Sequence, residues 1–144
     1  MIKINVSNTI HAPHDRVFSY ISNFENNPKW QGGMVSARFT SEGPIGVGST
    51  YEQVAKFLGK EITTTFKVVE YEENRKIKIE SIKSTFPITV TRTVEPHKEG
   101  TLVSAIVEGD ASKTFKVAQP LMKLMVKKSV KSDYKNLKKQ LESA

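Results

Sequence analysis

No cysteine occurs among the 144 residues. Disulfides, thiolate metal sites and a cysteine nucleophile are thereby excluded. Long apolar runs are missing as well, and no stretch approaches the ~18 residues that a transmembrane helix needs. The opening Met1-Ile2-Lys3-Ile4-Asn5-Val6 alternates apolar and polar side chains, unlike the continuous apolar core of a signal peptide, so the expected location is the cytoplasm. No Gly/Ser- or Pro-rich linker divides the chain, and its length suits one domain; 1–144 reads as a single unit. Histidine is scarce. His11, His14 and His97 lack a third ligand at metal spacing and read as surface residues, so no metal and no cofactor is expected. No serine sits in a nucleophile elbow, and no two carboxylates are spaced for acid–base work. Gly43–Gly48 lacks the Lys-Ser/Thr sequel of a phosphate loop.

Charge is present but unevenly placed. The formal net charge is +7, and residues 1–112 contribute nothing to it, with 13 Lys+Arg against 13 Asp+Glu. Residues 113–144 hold 9 Lys, no Arg, and only Asp133 and Glu142 as acids. Arginine is the better reader of base edges, and Tyr134 is the only aromatic residue among the lysines after Phe115, so sequence-specific nucleic-acid binding is not expected. Either the lysines form a solvated helix face, or they make weak contact with an anionic membrane surface.

Periodicity divides the chain into elements. Ile2, Ile4, Val6 and Ile10 alternate with polar residues, the pattern of a half-buried strand. Pro13 suits the first turn of a helix, and Val17, Phe18 and Ile21 follow at helical spacing, so 13–22 is a short helix. Another helical turn is expected before Trp30, and Gly32-Gly33 breaks the chain. Six strands follow, at 34–40, 49–58, 61–71, 76–82, 86–95 and 101–109, rich in Val, Ile, Thr and Phe and separated by turn residues, as in an antiparallel meander. From 113 to 142 the period changes. Ala118, Met122, Val126, Val130, Leu137 and Leu141 form a stripe widened by Leu121 and Met125, with Lys123, Lys127, Lys131, Lys135 and Lys138 off it, which is one long amphipathic helix. Pro120 marks its first ordered turn or a kink near its start.

The expected fold class is α+β. A curved seven-stranded antiparallel sheet has an apolar face to cover, and the long C-terminal helix is the only element large enough to cover it. A twisted sheet around one helix does not close flush at both ends, so a cavity is expected between them.

Ile10-His11-Ala12-Pro13, then Val17-Phe18, then Trp30 after a polar segment, resembles the opening of the polyketide cyclase/dehydrase-like branch of the START-related (SRPBCC) superfamily. Gly46-Val47-Gly48, the Gly100-Thr101 start of the last strand, and the ending Asp133-Tyr134-Lys135-Asn136-Leu137-Lys138-Lys139-Gln140-Leu141-Glu142 are similar to the same family. The resemblance spans the chain and implies a helix-grip domain. Members include lipid carriers, hormone receptors, pollen allergens, quinone-binding proteins and aromatic polyketide cyclases, so it implies a fold without assigning a reaction.

The candidate ligand-binding residues follow from strand parity. Tyr51, Gln53, Phe57 and Phe66 share the inward side of neighbouring strands, and Ile79, Ile88 and Val90 continue that wall. Aromatic walls with a few polar groups suit an apolar ligand. Leu121, Met122 and Met125 are expected on the facing helix, where they serve either as adaptable cavity wall or as plain core. Trp30 is either a lid at the cavity mouth or packing for the short helices. Arg92 has the parity of Ile88 and Val90. It then either requires an anionic partner, such as Glu108 or an acidic ligand, or is turned to solvent by a bulge. The expected function is binding of an apolar or aromatic small molecule, such as a lipid, quinone or polyketide, without catalysis. The rival is a cyclase or dehydratase in which Arg92, Gln53 and Tyr51 polarise a carbonyl, although no acid or base for it is identifiable from sequence. A third reading is an interaction protein that uses the basic helix.

Overall fold

The computed structural model describes residues 2–110 and 117–143. Seven antiparallel strands form one curved sheet: β1 (Ile2–Ile10), β2 (Met34–Phe39), β3 (Thr50–Phe57), β4 (Lys60–Glu72), β5 (Lys76–Lys83), β6 (Ile88–His97) and β7 (Gly100–Gly109). Their order across the sheet is β1-β7-β6-β5-β4-β3-β2. All connections are therefore nearest-neighbour except the step from β1 to β2. That step carries helix α1 (His14–Ser22), a 3-10 turn (Phe24–Asn26) and helix α2 (Asn27–Trp30) from one edge of the sheet to the other. The long helix α3 (Gln119–Glu142) lies in the concave face.

Local sequence accounts for the turns that set this register. The β3–β4 hairpin turns on Leu58 and Gly59, both at positive φ, as a two-residue hairpin turn matched to strand twist requires. The turn was expected one residue later, at Gly59-Lys60, but Phe57 pairs with Lys60. Gly100 has φ +129°, and a Cβ there would meet the Ile10 carbonyl oxygen at 2.3 Å. Next to it, the buried Thr101 donates its hydroxyl to the Ala12 carbonyl at 2.6 Å. The Gly-Thr pair thus fastens the end of β1 to the start of β7.

Two elements, β6 and α3, depart from expectation by more than one residue. Strand β6 begins at Ile88 instead of Phe86 and runs on through Pro96 to His97. Beyond Thr93 it has no ladder to β5, so the missing N–H of Pro96 falls on an open edge, where proline is tolerated. Helix α3 begins at Gln119 with Pro120 in its first turn, because proline needs no amide partner there. Ala118 is extended, and the expected helical start at 113–116 lies outside the described residues. Among the described residues, no helix is long and apolar enough to cross a membrane.

The core has two parts. The larger joins α1, α2 and the middle of the sheet to Tyr134, Leu137 and Leu141 of α3. The smaller gathers Ile2, Ile4, Ile62 and Met122 at the end of the sheet where α3 begins. Val130 packs against both. Among the described residues, the polar links from the sheet and its connections reach the second half of α3. Asn8 donates its amide to the Tyr134 carbonyl at 3.2 Å, Lys138 donates to the Thr9 carbonyl at 2.5 Å, and the His11 N–H donates to Glu142 at 2.8 Å. Its first half rests on Met122, with Val126 and Val130 half-buried.

Candidate functional site

Between the sheet and α3 lie two adjoining chambers. The inner one, about 160 Å³, is walled by Tyr51, Gln53, Phe66, Ile79, Ile88, Val90 and Arg92 from the strands and by Trp30 from α2. The outer one, about 200 Å³, is almost wholly apolar and includes Ile2, Ile4, Phe57, Phe86, Met122 and Val126. Ile88, Val107 and Val130 line both, so the two chambers adjoin at these side chains. Each chamber alone is below the roughly 300–1,000 Å³ of a typical ligand pocket, and joined they reach the lower end of that range. A wider recess of about 480 Å³ near Phe39 and Tyr71 is an open surface groove with mostly polar walls, less suited to holding an apolar molecule out of water.

Strand parity places the aromatic wall. Tyr51 and Phe66 are register partners on β3 and β4, and their rings stack at 5.2 Å between centroids. Phe24 stacks on the other side of Tyr51 at 4.0 Å. Burial pushes the Tyr51 hydroxyl well above its ordinary pKa, opposed by the charge of Arg92. Tyr51 therefore stays protonated at neutral pH, able to donate a hydrogen bond but unsuited to act as a base. The Gln53 amide reaches the inner chamber and forms no hydrogen bond with another described residue. Trp30 is 2% exposed and meets the edge of Tyr134 at 5.1 Å. Of its two expected roles it takes packing: it is wall, not lid.

Arg92 is the polar centre of the site. It is 5% exposed, so a bulge does not turn it to solvent. Its Nε donates to the Tyr134 hydroxyl at 3.0 Å and its Nη1 to the Ile21 carbonyl at 3.3 Å, and the guanidinium lies 5.0 Å from the centre of the Trp30 ring. The partnership with Glu108 does not form. Arg92 pairs with Ala105 while Glu108 pairs with Thr89, three residues down the ladder or about 10 Å away. The carboxylate in the inner chamber is instead Asp133, whose Oδ1 accepts the Gly32 N–H at 3.0 Å. Burial raises the Asp133 pKa, opposed by that N–H and by the charge of Arg92. Among the described residues no carboxylate oxygen lies within ion-pair distance of Arg92.

Two expected site residues fall elsewhere. Leu121 is 52% exposed, and Met125 is half-buried but lines neither chamber. The inward face of α3 is narrower than expected and runs Met122, Val126, Val130, Tyr134, Leu137, Leu141. A residue one step away on a helix points ~100° aside, which carries Leu121 and Met125 off this line. Conversely, Asp133, Tyr134 and Val107 line the site unforeseen. Tyr134 stands four residues after Val130 and three before Leu137, so the apolar period passes through it; read as part of the lysine face, it was overlooked. The histidines form no metal cluster among the described residues.

A strongly curved antiparallel sheet that grips one long helix, with a mostly apolar cavity between them, defines a helix-grip, START-like protein. The chain belongs to the family described as polyketide cyclase / dehydrase and lipid transport, whose model matches residues 1–142. No curated protein matches the chain in sequence. Among solved structures it is similar to a START superfamily protein from Mycobacterium smegmatis, with 17% identity, 98% of this chain and 97% of that one covered, and a TM-score of 0.82. It is also similar to Ara h 8.0201, at 16% identity, 99% and 98% coverage and a TM-score of 0.71. A protein from Chromobacterium violaceum aligns at 18% identity, 99% of each chain and a TM-score of 0.72. At these identities the likeness is one of fold.

Proposed function

We propose that this protein binds an apolar or aromatic small molecule, such as a lipid, quinone or polyketide, in the joined chambers between sheet and α3, and shields it from water. The observation that carries the reading is the pair of adjoining chambers with apolar walls and one polar end. Burying apolar ligand surface there is favourable by about 25 cal/mol per Å², and the few polar groups at Gln53, Arg92 and Tyr134 orient what enters. The family description, which names lipid transport beside cyclase chemistry, supports the same class of cargo. The test is mass spectrometry of the protein purified gently from its host, beside a Val130→Phe variant that narrows the junction of the chambers. An apolar compound in near-equal molar amount, depleted in the variant, is expected. A compound retained equally by the variant, or an empty protein that takes up no apolar dye, overturns the reading.

Cargo has to be collected, and the end of the molecule where the outer chamber lies suits an anionic membrane surface. Leu121 and Leu124 project from the first turns of α3 at 52% and 63% exposure, and Lys123, Lys127 and Lys128 are exposed among them. Leu58, exposed at the tip of the β3–β4 hairpin, adjoins Phe57 of the outer chamber. Lysines near an anionic surface contribute about 1 kcal/mol each, and the leucines add apolar contact.

A second reading, cyclase or dehydratase chemistry in the same cavity, is favoured by Asp133. A carboxyl with a raised pKa beside a guanidinium-bound tyrosine has the properties of a proton carrier. Arg92 and Tyr134 would polarise a carbonyl that Asp133 protonates or deprotonates.

A further inference from the structure

The buried guanidinium is the feature that apolar cargo alone leaves unexplained. We propose that the cargo is a monoanionic amphiphile, a carboxylic acid whose carboxylate sits on Arg92 in the inner chamber and whose apolar tail runs past Val130 into the outer one. This rests on the reading of the cavity as a binding site and adds to it the head group and the orientation.

Arg92 is almost fully buried, and a buried cation is costly unless an anion and hydrogen bonds compensate it. Its protein partners are a tyrosine hydroxyl, a backbone carbonyl and the face of Trp30, all formally neutral. Among the described residues the Nη2 group donates to no acceptor, and Arg92 lines the inner chamber. A guanidinium with free N–H groups presents a planar fork that matches a carboxylate.

Asp133 is the one acid that competes. It lines the same chamber but stays beyond ion-pair distance, held on the Gly32 N–H at 3.0 Å. It does not neutralise Arg92 by contact, and in its charged form it repels an incoming carboxylate.

The two chambers supply the orientation. Polar groups cluster in the inner chamber, at Gln53, Arg92, Asp133 and Tyr134, whereas the described lining of the outer chamber is apolar apart from Glu108 and Ser129. A molecule that spans both therefore satisfies its walls with its head inward and its tail outward. The reverse orientation would strand a carboxylate beside Glu108 and leave Arg92 facing hydrocarbon.

The experiment is calorimetric titration of the intact protein with decanoate and with decanol, which differ in the head group. Wild type is expected to bind decanoate more tightly. Arg92→Gln, shown to be folded by its thermal melt, is expected to lose roughly ten- to hundredfold for decanoate, the scale of one charge-assisted hydrogen bond, and to lose much less for decanol, whose hydroxyl carries no charge. Asp133→Asn, which keeps the acceptor for Gly32, is expected to tighten decanoate more than decanol; it tests the inference even if Arg92→Gln does not fold. Equal affinity of wild type for both probes, equal losses for both in Arg92→Gln, or decanoate unmoved or weakened by Asp133→Asn each overturn the inference while leaving an apolar site in place. If neither probe binds the wild type, the cavity reading falls and the inference falls with it.

Discussion

The Nε of Arg92, in the middle of β6, donates to the hydroxyl of Tyr134, in the second half of α3, at 3.0 Å. This bond couples helix to sheet at the polar end of the cavity, and both partners are buried. Tyr134 also carries Trp30 on its ring and accepts from Asn8 at its carbonyl. One side chain thus ties α2, β6 and α3 together. Tyr134→Phe keeps the ring and removes only the hydroxyl, leaving a buried charged donor short of one acceptor. A loss of about 1–3 kcal/mol in chemical denaturation is expected, the cost of an unsatisfied buried group. Unchanged stability would show that the bond contributes nothing net.

Asp133 makes stability depend on pH in a definite direction. Burial raises its native pKa above the ordinary 3.8, against the Gly32 N–H and the Arg92 charge. The native state therefore holds this proton more firmly than the unfolded chain does. Stability is lost as pH rises from the ordinary carboxylate value through the raised native one. Asp133→Asn removes that loss, so the variant is expected to be more stable than wild type at neutral pH, with the gap closing below about pH 3, where both forms of the wild-type carboxyl are protonated. Denaturation curves at the two pH values check it. A gap independent of pH, or a variant less stable at neutral pH, contradicts the assignment.

The two halves of α3 are held unequally, and amide hydrogen exchange should register the difference. Tyr134, Leu137 and Leu141 are buried, and Asn8, Thr9 and His11 bond to this half. The first half buries only Met122. Local opening is easiest where buried contacts are few, so amides around 122–130 are expected to exchange faster than those around 134–141. Uniform protection along the helix would contradict the unequal anchoring of its two halves.

The proposed contact with an anionic bilayer would depend on the exposed lysines and leucines at the start of α3. Sedimentation with phosphatidylserine-containing vesicles should show binding that falls as salt is raised, because exposed charges are screened beyond ~8–10 Å at physiological ionic strength. Reversal of Lys123 and Lys127 to Glu should abolish it, and Leu124→Ser should weaken it. Binding that survives the charge reversal contradicts this surface, and binding indifferent to Leu124 removes the apolar part of the contact.

Most of the fold was legible in the sequence because each element carries a clean period. The alternation of Ile2, Ile4, Val6 and Ile10 specified β1, and the parity of Ile62, Thr64, Phe66 and Val68 matches the buried face of β4. The parity of Arg92 placed it inward correctly, whereas its partner lay beyond the reach of parity. The β6–β7 register keeps Glu108 away from Arg92, and which helix residue meets Arg92 instead is set by how far α3 slides along the sheet, an offset that no local pattern encodes. The helix face was misjudged for a related reason. Leu121 and Met125 are as apolar as Met122, and only the position of the helix over the sheet decides which side is covered. Asp133 was invisible as a site residue because a single carboxylate among lysines looks like a surface charge until burial and the Gly32 N–H mark it out.

The central claim is that apolar cargo occupies the space between sheet and α3, and the molecule carries its own probe for it. Trp30 is the only tryptophan, is nearly fully buried, and forms part of the inner wall. Titration with a bromine-labelled fatty acid, followed by Trp30 fluorescence, should give saturable quenching at one ligand per protein, weakened in Val130→Phe, which narrows the passage between the chambers. Quenching that never saturates, or that proceeds unchanged in Val130→Phe, would contradict occupancy of the cavity.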